Sequence, residues 1–181
     1  MFHEIYPIPV YSTKLNNHEQ VQKDFAEVIK DDSNFGKNPG WHCDVDSTFG
    51  LPEANKLPFQ NFIKGAVMSL NDYLNHLGVD YHAGACVISC AYMMNLPKDG
   101  GKFVFYRNTY DFFHNSKLPL LTSGHFIYNN RITPPLEEGH IVFFPSVLEH
   151  YVTTNQSDEV RATISANFTI NERPDEEKSD K

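Results

Sequence analysis

The most constraining feature of this sequence is the run VRATISANFTI at residues 160–170, in which apolar and polar side chains alternate without exception. Successive side chains of a β-strand point to opposite faces of the sheet, so the run predicts a strand with one apolar and one polar face. If helices cover one face of the sheet, the apolar set packs beneath them. The polar set, including Arg161 and Thr163, then projects from the other face into the space between two sheets.

The remaining pattern predicts two helices followed by short strands. Apolar residues at i, i+4, i+7 and i+8 indicate an amphipathic helix over 17–31, and a longer apolar stripe that ends before Gly78 indicates a second helix over 57–77. Further strands are expected at 85–96, 102–108, 124–133 and 140–145. The predicted fold class is α+β, mainly β, with both helices packed on one sheet of a sandwich or jelly roll.

Length and charge restrict the organisation and the partners. A chain of 181 residues favours one domain, expected over 1–171, and the charged segment 172–181 is expected to be a disordered tail. The net charge of −8 argues against a nucleic-acid backbone or an anionic membrane as the main partner. The sequence has no apolar run long enough to span a bilayer, no signal-peptide pattern and only three cysteines, which together favour the cytoplasm.

Two polar residues near the C-terminus are candidates for chemistry. Arg161 would need an anionic partner if it faces the interior, and a small-molecule carboxylate could serve as well as one of the chain's own acids. His150 lies eleven residues before Arg161. If their two strands are neighbours in an antiparallel ladder, the two side chains lie a few ångströms apart, which suits a metal ligand beside a carboxylate clamp. A structural or solvated role for either residue stays open.

The stretch 132–170, ITPPLEEGHIVFFPSVLEHYVTTNQSDEVRATISANFTI, resembles the C-terminal core of the 2-oxoglutarate- and Fe(II)-dependent oxygenases. It is most similar to a small phage and bacterial branch related to prolyl hydroxylases, which GWHCDVD at 40–46 and the helix at 57–77 also resemble. The resemblance implies a double-stranded β-helix and a dioxygenase that uses Fe(II) and 2-oxoglutarate. It further implies that His150 is the distal iron ligand and that Arg161, assisted by Thr163, binds the distal carboxylate of 2-oxoglutarate. Its substrate would be a small molecule or a peptide.

The other two iron ligands have two candidate positions. Enzymes of this kind hold Fe(II) with two histidines and one carboxylate, and the first two ligands normally form a His-x-Asp motif. His42-Cys43-Asp44 matches those letters but precedes the second helix, whereas Asp80-Tyr81-His82 reverses the order but opens the strand region. We expect Asp80, His82 and His150 to bind the metal.

The sequence can also be aligned with the oxygenase family in a second way, called the second registration below, which leaves the metal site incomplete. If residues 77–101 correspond to the strand that precedes the metal motif, KFVFYRNTYD at 102–111 takes the motif's place and supplies no histidine. The alternative function is then a metal-free jelly-roll module with a binding or structural role. An exposed aromatic platform of Trp41, Tyr92 or Tyr106 would favour it.

Overall fold

The computed structural model describes residues 8–37, 45–48, 51–77, 86–106 and 131–170, which form two α-helices, three 3₁₀ helices and nine strands. The helices are α1 (His18–Phe25) and α2 (Gln60–Leu77), with 3₁₀ turns at Val28–Lys30, Asp32–Asn34 and Pro52–Lys56. The strands are β1 (Tyr11–Lys14), β2 (Gly36–Lys37), β3 (Asp46–Ser47), β4 (Cys86–Asn95), β5 (Phe103–Tyr106), β6 (Arg131–Ile132), β7 (His140–Pro145), β8 (His150–Val152) and β9 (Ala162–Ile170). Neither α1 nor α2 is both long and apolar enough to cross a membrane.

A four-stranded antiparallel sheet with the order β1-β7-β4-β9 forms the centre of the described structure. β4 pairs with β7 on one side and with β9 on the other, so that Ser89 lies opposite both Phe144 and Asn167. The ladder between β4 and β9 shifts register between Met93 and Asn95. The predicted strands at 85–96, 140–145 and 160–170 coincide closely with β4, β7 and β9.

One face of this sheet is covered by the two helices. The buried sheet residues on that face include Tyr92, Phe143 and Ile164, and the apolar residues of α1 and α2 pack on them. The helix residues in this cluster are Val21, Phe25, Phe62, Ala66, Leu70, Tyr73 and Leu74. Burial of one such side chain stabilises the fold by about 1.5–3 kcal/mol for the larger residues. The prediction that the apolar set of 160–170 packs beneath helices is confirmed for Ala162, Ile164, Ala166 and Phe168. Val160 precedes β9 and is exposed.

The opposite face of the central sheet packs against a second, three-stranded antiparallel sheet of order β6-β5-β8. A separate apolar cluster joins the two sheets. It consists of Ala91, Met93, Phe103, Phe105, Val142 and Phe144. The described chain is thus mostly β, with antiparallel sheets and two helices, as the sequence predicts. β2 and β3 pair only with each other, in a third sheet.

Two sequence predictions differ from the structure in extent. The helix predicted over 17–31 ends at Phe25 and is followed by 3₁₀ turns, the second of which begins where Asp31 accepts a hydrogen bond from the backbone N–H of Ser33. The segment 32–56, predicted as loop, contains the short β2 and β3. Of the strand predicted over 124–133, only 131–133 lie among the described residues, and they include β6. The predicted tail at 172–181 lies outside the described residues.

A buried polar network fixes α1 to the central sheet. The hydroxyl of Tyr92, a residue with 0% exposure, lies 2.6 Å from Nδ1 of His18. The other ring nitrogen of His18 lies 3.8 Å from a carboxylate oxygen of Glu138. Burial raises the pKa of Tyr92, and the negative charge of Glu138 raises it further, so the hydroxyl stays protonated.

Replacing Tyr92 by phenylalanine is expected to lower the free energy of unfolding by about 1–2 kcal/mol, because a ring nitrogen of His18 loses its partner in a part-buried position. Urea denaturation followed by circular dichroism measures this change. Tyr151→Phe removes a hydroxyl from a more exposed tyrosine and is the matched control, with no change expected. Equal stability of Y92F and the wild type would contradict a stabilising role for the network.

Candidate active site

His150 begins β8 and points into the space between the two sheets. Its ring stacks on Phe103, with ring centroids 5.3 Å apart and planes 16° apart. It also meets Phe144 of the central sheet in an edge-to-face contact, with centroids 4.7 Å apart. These two aromatic rings hold the imidazole from two sides, so its orientation is set by packing rather than left to solvent.

The hydrogen bond of His150 leaves one ring nitrogen available. Nδ1 lies 2.9 Å from the backbone carbonyl oxygen of Leu148. A carbonyl only accepts hydrogen bonds, so Nδ1 carries the proton and, in the neutral ring, Nε2 carries the lone pair. Histidines that bind metals typically have this arrangement, in which a carbonyl or carboxylate accepts from the nitrogen that does not bind the metal. The residue as a whole is exposed, so Nε2 is accessible to an ion.

Arg161 directly precedes β9 and is half-buried on the inter-sheet side. Its Nη1 donates to the carbonyl oxygen of Gly100 at 3.2 Å, and its Nη2 lies 3.4 Å from the sulfur of Met93. Desolvation lowers the pKa of Arg161, although a guanidinium remains charged in a protein. Within the described ranges, no carboxylate contacts this cation. The prediction that Arg161 faces the inter-sheet space is therefore confirmed, and its remaining N–H donors have no partner among the described residues.

A cavity of about 240 Å³ lies at this guanidinium. Its apolar walls include Met93, Phe103 and Leu136, and its described lining also contains two cations, the half-buried Arg161 and the exposed Lys102. A larger cavity of about 580 Å³ shares several of its lining residues and opens towards the surface. A small space with apolar walls and cationic side chains suits an aliphatic carboxylate.

Gly101 shapes the same corner of the site. Its φ is +86°, and a Cβ at this position would lie 2.3 Å from the carbonyl oxygen of Thr153 and 3.2 Å from Nη1 of Arg161. Any larger residue would therefore collide with the backbone next to the guanidinium. The sequence marks this segment as a turn, but its link to Arg161 becomes visible only in three dimensions.

The relation between His150 and Arg161 differs from the prediction. The two residues were expected to be neighbours across one antiparallel ladder, which is wrong: β8 pairs with β5, whereas β9 pairs with β4 in the other sheet. Consecutive strands here lie in opposite sheets. Phe103 connects the two residues, because its ring contacts His150 and also lines the cavity of Arg161. His150 and Arg161 therefore border the same inter-sheet space, one from each sheet.

Thr163 lies on the face of β9 that also carries Arg161. It is exposed and sits opposite Met93 of β4 in the ladder. It lies two residues beyond Arg161 on the same face of the strand, and the assisting role that the resemblance implies for it stays a prediction.

The remaining predicted ligands lie outside the described residues. They are His42, Asp44, Asp80 and His82. Among the residues that are described, no group of three or more His, Cys, Asp or Glu side chains could hold a metal ion, and His150 is the only predicted ligand in that set. The metal ligand set thus stays a prediction.

Sequence reasoning missed one polar cluster on the inter-sheet face of the central sheet. The hydroxyl oxygen of Ser89 lies 2.6 Å from Oδ1 of Asn167 and 2.8 Å from the hydroxyl oxygen of Ser146. Asn167 belongs to the polar set of the alternating run, which was the available signal. Its contact with Ser89 depends on the register of β4 against β9, which alternation does not reveal.

The proposed aromatic platform is not formed by Tyr92. This residue is fully buried under the helices, so it cannot contribute to such a platform. Tyr106 is half-buried, and Trp41 lies outside the described residues. The part of the chain that the structure describes therefore gives the metal-free alternative no aromatic platform.

The family model described as "Putative 2OG-Fe(II) oxygenase" matches residues 69–167, more than half of the chain. The chain therefore belongs to this family of 2-oxoglutarate- and Fe(II)-dependent oxygenases, whose cofactor is Fe(II) and whose co-substrate is 2-oxoglutarate. The described donors fit these groups: Nε2 of His150 has no hydrogen-bond partner among the described residues, and the guanidinium of Arg161, which contacts no carboxylate there, lines a cavity of about 240 Å³. No curated protein matches the chain.

Proposed function

We propose that this protein is an Fe(II)- and 2-oxoglutarate-dependent dioxygenase that hydroxylates a C–H bond of a small-molecule or peptide substrate. The observation that carries the proposal is the half-buried guanidinium of Arg161, which lines a small apolar cavity and contacts no carboxylate within the described ranges. A half-buried cation has lost part of its hydration without gaining an anionic partner in the described ranges, so a ligand carboxylate suits it. His150 faces the same inter-sheet space with a free Nε2.

The proposed fold is a double-stranded β-helix over 1–171, followed by a tail at 172–181. Two antiparallel sheets that pack face to face through an apolar cluster are in keeping with it. The resemblance of 132–170 favours the phage and bacterial branch related to prolyl hydroxylases.

Asp80 and His82 are the proposed partners of His150 in the metal site. They precede Cys86, the first residue of β4, by only a few residues. The first half of β4 carries Ser89, whose ladder partner Phe144 contacts the ring of His150. The other end of β4 carries Met93, which contacts Arg161. A ligand pair just before β4 is thus close in sequence to the His150 end of the sheet, where a metal would be needed.

His42 and Asp44 are the less favoured candidates for the other two iron ligands. They belong to the connection between β2 and β3, which form a two-stranded sheet that, among the described residues, has no ladder to the two larger sheets. Their neighbours along the chain therefore give no reason to expect them near His150.

The second registration corresponds to the metal-free alternative. It assigns the metal motif to the segment of β5, where Phe103 and Phe105 fill the inward positions with apolar rings. Among its described residues β5 therefore provides no metal donor, as that registration supposes, and a metal site depends on Asp80 and His82.

Each described residue then has a definite task. Arg161 binds and orients the distal carboxylate, and Met93, Phe103 and Leu136 exclude water around the aliphatic chain. The carbonyl of Leu148 keeps the proton of His150 on Nδ1, and Phe144 fixes the plane of the ring. Bound iron and its co-substrate supply the oxidation, in which one atom of dioxygen enters succinate, the other enters the product, and CO₂ leaves.

The proposal is tested by slow turnover without substrate. Protein loaded anaerobically with Fe(II) is mixed with oxygenated buffer and 2-oxoglutarate labelled at C1, and both released CO₂ and succinate are measured. We expect the two products in equal amounts, at a rate above that of free Fe(II).

Two controls make the result decisive. Arg161→Leu is expected to abolish the rate enhancement, because it removes the carboxylate partner but fits the apolar walls of the cavity. If the folded wild type binds neither Fe(II) nor 2-oxoglutarate by calorimetry, the proposal is wrong and the metal-free module is the better description.

A further inference from the structure

The polar face of β9 forms an open row of uncharged donors between Arg161 and His150. Thr163, Ser165 and Asn167 are all exposed on the face opposite the helices. Since this face looks towards the second sheet, these side chains are candidates for contact with whatever occupies the inter-sheet space.

The register between β4 and β9 relates this row to Arg161 at one end of the proposed site and to His150 at the other. Thr163 lies opposite Met93, whose sulfur contacts the guanidinium of Arg161. Asn167 lies opposite Ser89, whose other ladder partner, Phe144, contacts the ring of His150. The row therefore runs from the Arg161 end at Thr163 to the His150 end at Asn167.

The amide group of Asn167 is oriented by the neighbouring hydroxyls. Because Oδ1 can only accept, the hydroxyl of Ser89 donates to it at 2.6 Å, and the hydroxyl of Ser146 can donate to Ser89 in turn. This arrangement turns the NH₂ group of Asn167 away from β4. In the described part of the chain the NH₂ group has no hydrogen-bond partner. It presents two N–H donors without a full charge.

The distance along the strand matches the co-substrate. Asn167 lies four residues beyond Thr163, the partner of Met93, which is about 13–14 Å at strand spacing, and hydrogen bonds of about 2.9 Å at each end leave about 8 Å. An extended five-carbon chain with a carboxylate at each end has this length. A shorter acid would reach only one of the two ends.

We infer that Asn167 is a second binding residue for 2-oxoglutarate, donating from Nδ2 to the carboxylate next to the 2-oxo group while Arg161 binds the distal carboxylate. The inference rests on the proposed function. Ser89 and Ser146 act through Asn167 by holding its amide, and they are positioning residues.

Calorimetric titration of 2-oxoglutarate into Mn(II)-loaded protein under anaerobic conditions tests the inference. Asn167→Ala is expected to weaken 2-oxoglutarate about tenfold, since it removes a hydrogen bond to a charged group. Asn167→Asp keeps the size and the acceptor for Ser89 but places a negative charge at the carboxylate, so we expect a larger loss than with alanine. Thr169→Val, one residue pair beyond Asn167 on the same face, is the matched control with unchanged affinity.

Two further measurements separate binding from structure. Melting temperature and Mn(II) affinity are expected to be the same in all variants, because Asn167 is neither buried nor a metal ligand. If N167A and N167D bind 2-oxoglutarate as the wild type does, the inference is overturned and the proposed function stands. If the wild type itself binds neither Mn(II) nor 2-oxoglutarate, both fail, and this titration distinguishes that case.

Discussion

Arg161→Leu is expected to weaken the binding of 2-oxoglutarate about a hundredfold, because a two-pronged, charge-assisted pair contributes two strong hydrogen bonds. The guanidinium already donates to Gly100 and contacts Met93, so it is held in place before the ligand arrives. Little conformational entropy remains to be lost on binding, and the cavity walls exclude competing water. Calorimetry with Mn(II)-loaded protein measures the affinity of each variant.

Two comparisons distinguish a carboxylate clamp from a structural arginine. Pyruvate has the 2-oxo acid group but no distal carboxylate, so its affinity is expected to be the same in R161L and in the wild type. Arg161→Lys keeps the charge without the fork and is expected to give an intermediate loss for 2-oxoglutarate. Equal losses for both acids in R161L would show that Arg161 acts on the structure of the site rather than on the distal carboxylate.

The orientation of Arg161 was predictable from the sequence because one pattern contains the whole argument. In the run at 160–170, apolar residues alternate with polar ones, and Ile164 could only be buried if Arg161 faced the other way. The structure confirms this arrangement, with Ile164 under the helices and Arg161 at the inter-sheet cavity. The alternation of side chains along a strand determines which residues share a face of the sheet, and this does not depend on the rest of the chain.

The neighbours of each strand were not predictable in the same way. His150 and Arg161 are close in sequence, which favours a ladder between their strands, yet β8 and β9 lie in different sheets. Which sheet a strand joins depends on long-range contacts such as that of the His150 ring with Phe103 and Phe144. Likewise, the meeting of Ser89 with Asn167 requires the register between β4 and β9, and neither strand's own pattern contains it.

The contrast between Tyr92 and Tyr106 makes the same point for single residues. Both are tyrosines in or next to strands, and the sequence alone allows either to be exposed. Tyr92 is covered because α1 supplies His18 as a partner for its hydroxyl, whereas Tyr106 ends its strand and is half-buried. Burial of a polar aromatic residue depends on whether a distant segment offers a hydrogen bond.

His150→Ala is expected to weaken Mn(II) or Fe(II) binding by more than about 100-fold, since loss of even an outer-shell partner of a metal ligand typically costs 10–100-fold. Alanine removes Nε2 and leaves the rings of Phe103 and Phe144 in place, so the fold should persist. Anaerobic titration with the metal alone measures the affinity. His76→Ala, which removes an exposed histidine at the end of α2, is the matched control with unchanged affinity.

The same titration decides between the two candidate ligand pairs. If Asp80 and His82 complete the site, D80A and H82A lose metal as H150A does, while H42A and D44A retain it. The reverse result would transfer the site to the connection between β2 and β3, and that connection would then have to lie against His150. Unchanged metal affinity in H150A would remove the imidazole from the site altogether. Its free Nε2 and its contact with Phe103, which also lines the cavity of Arg161, are the reasons to expect the first result.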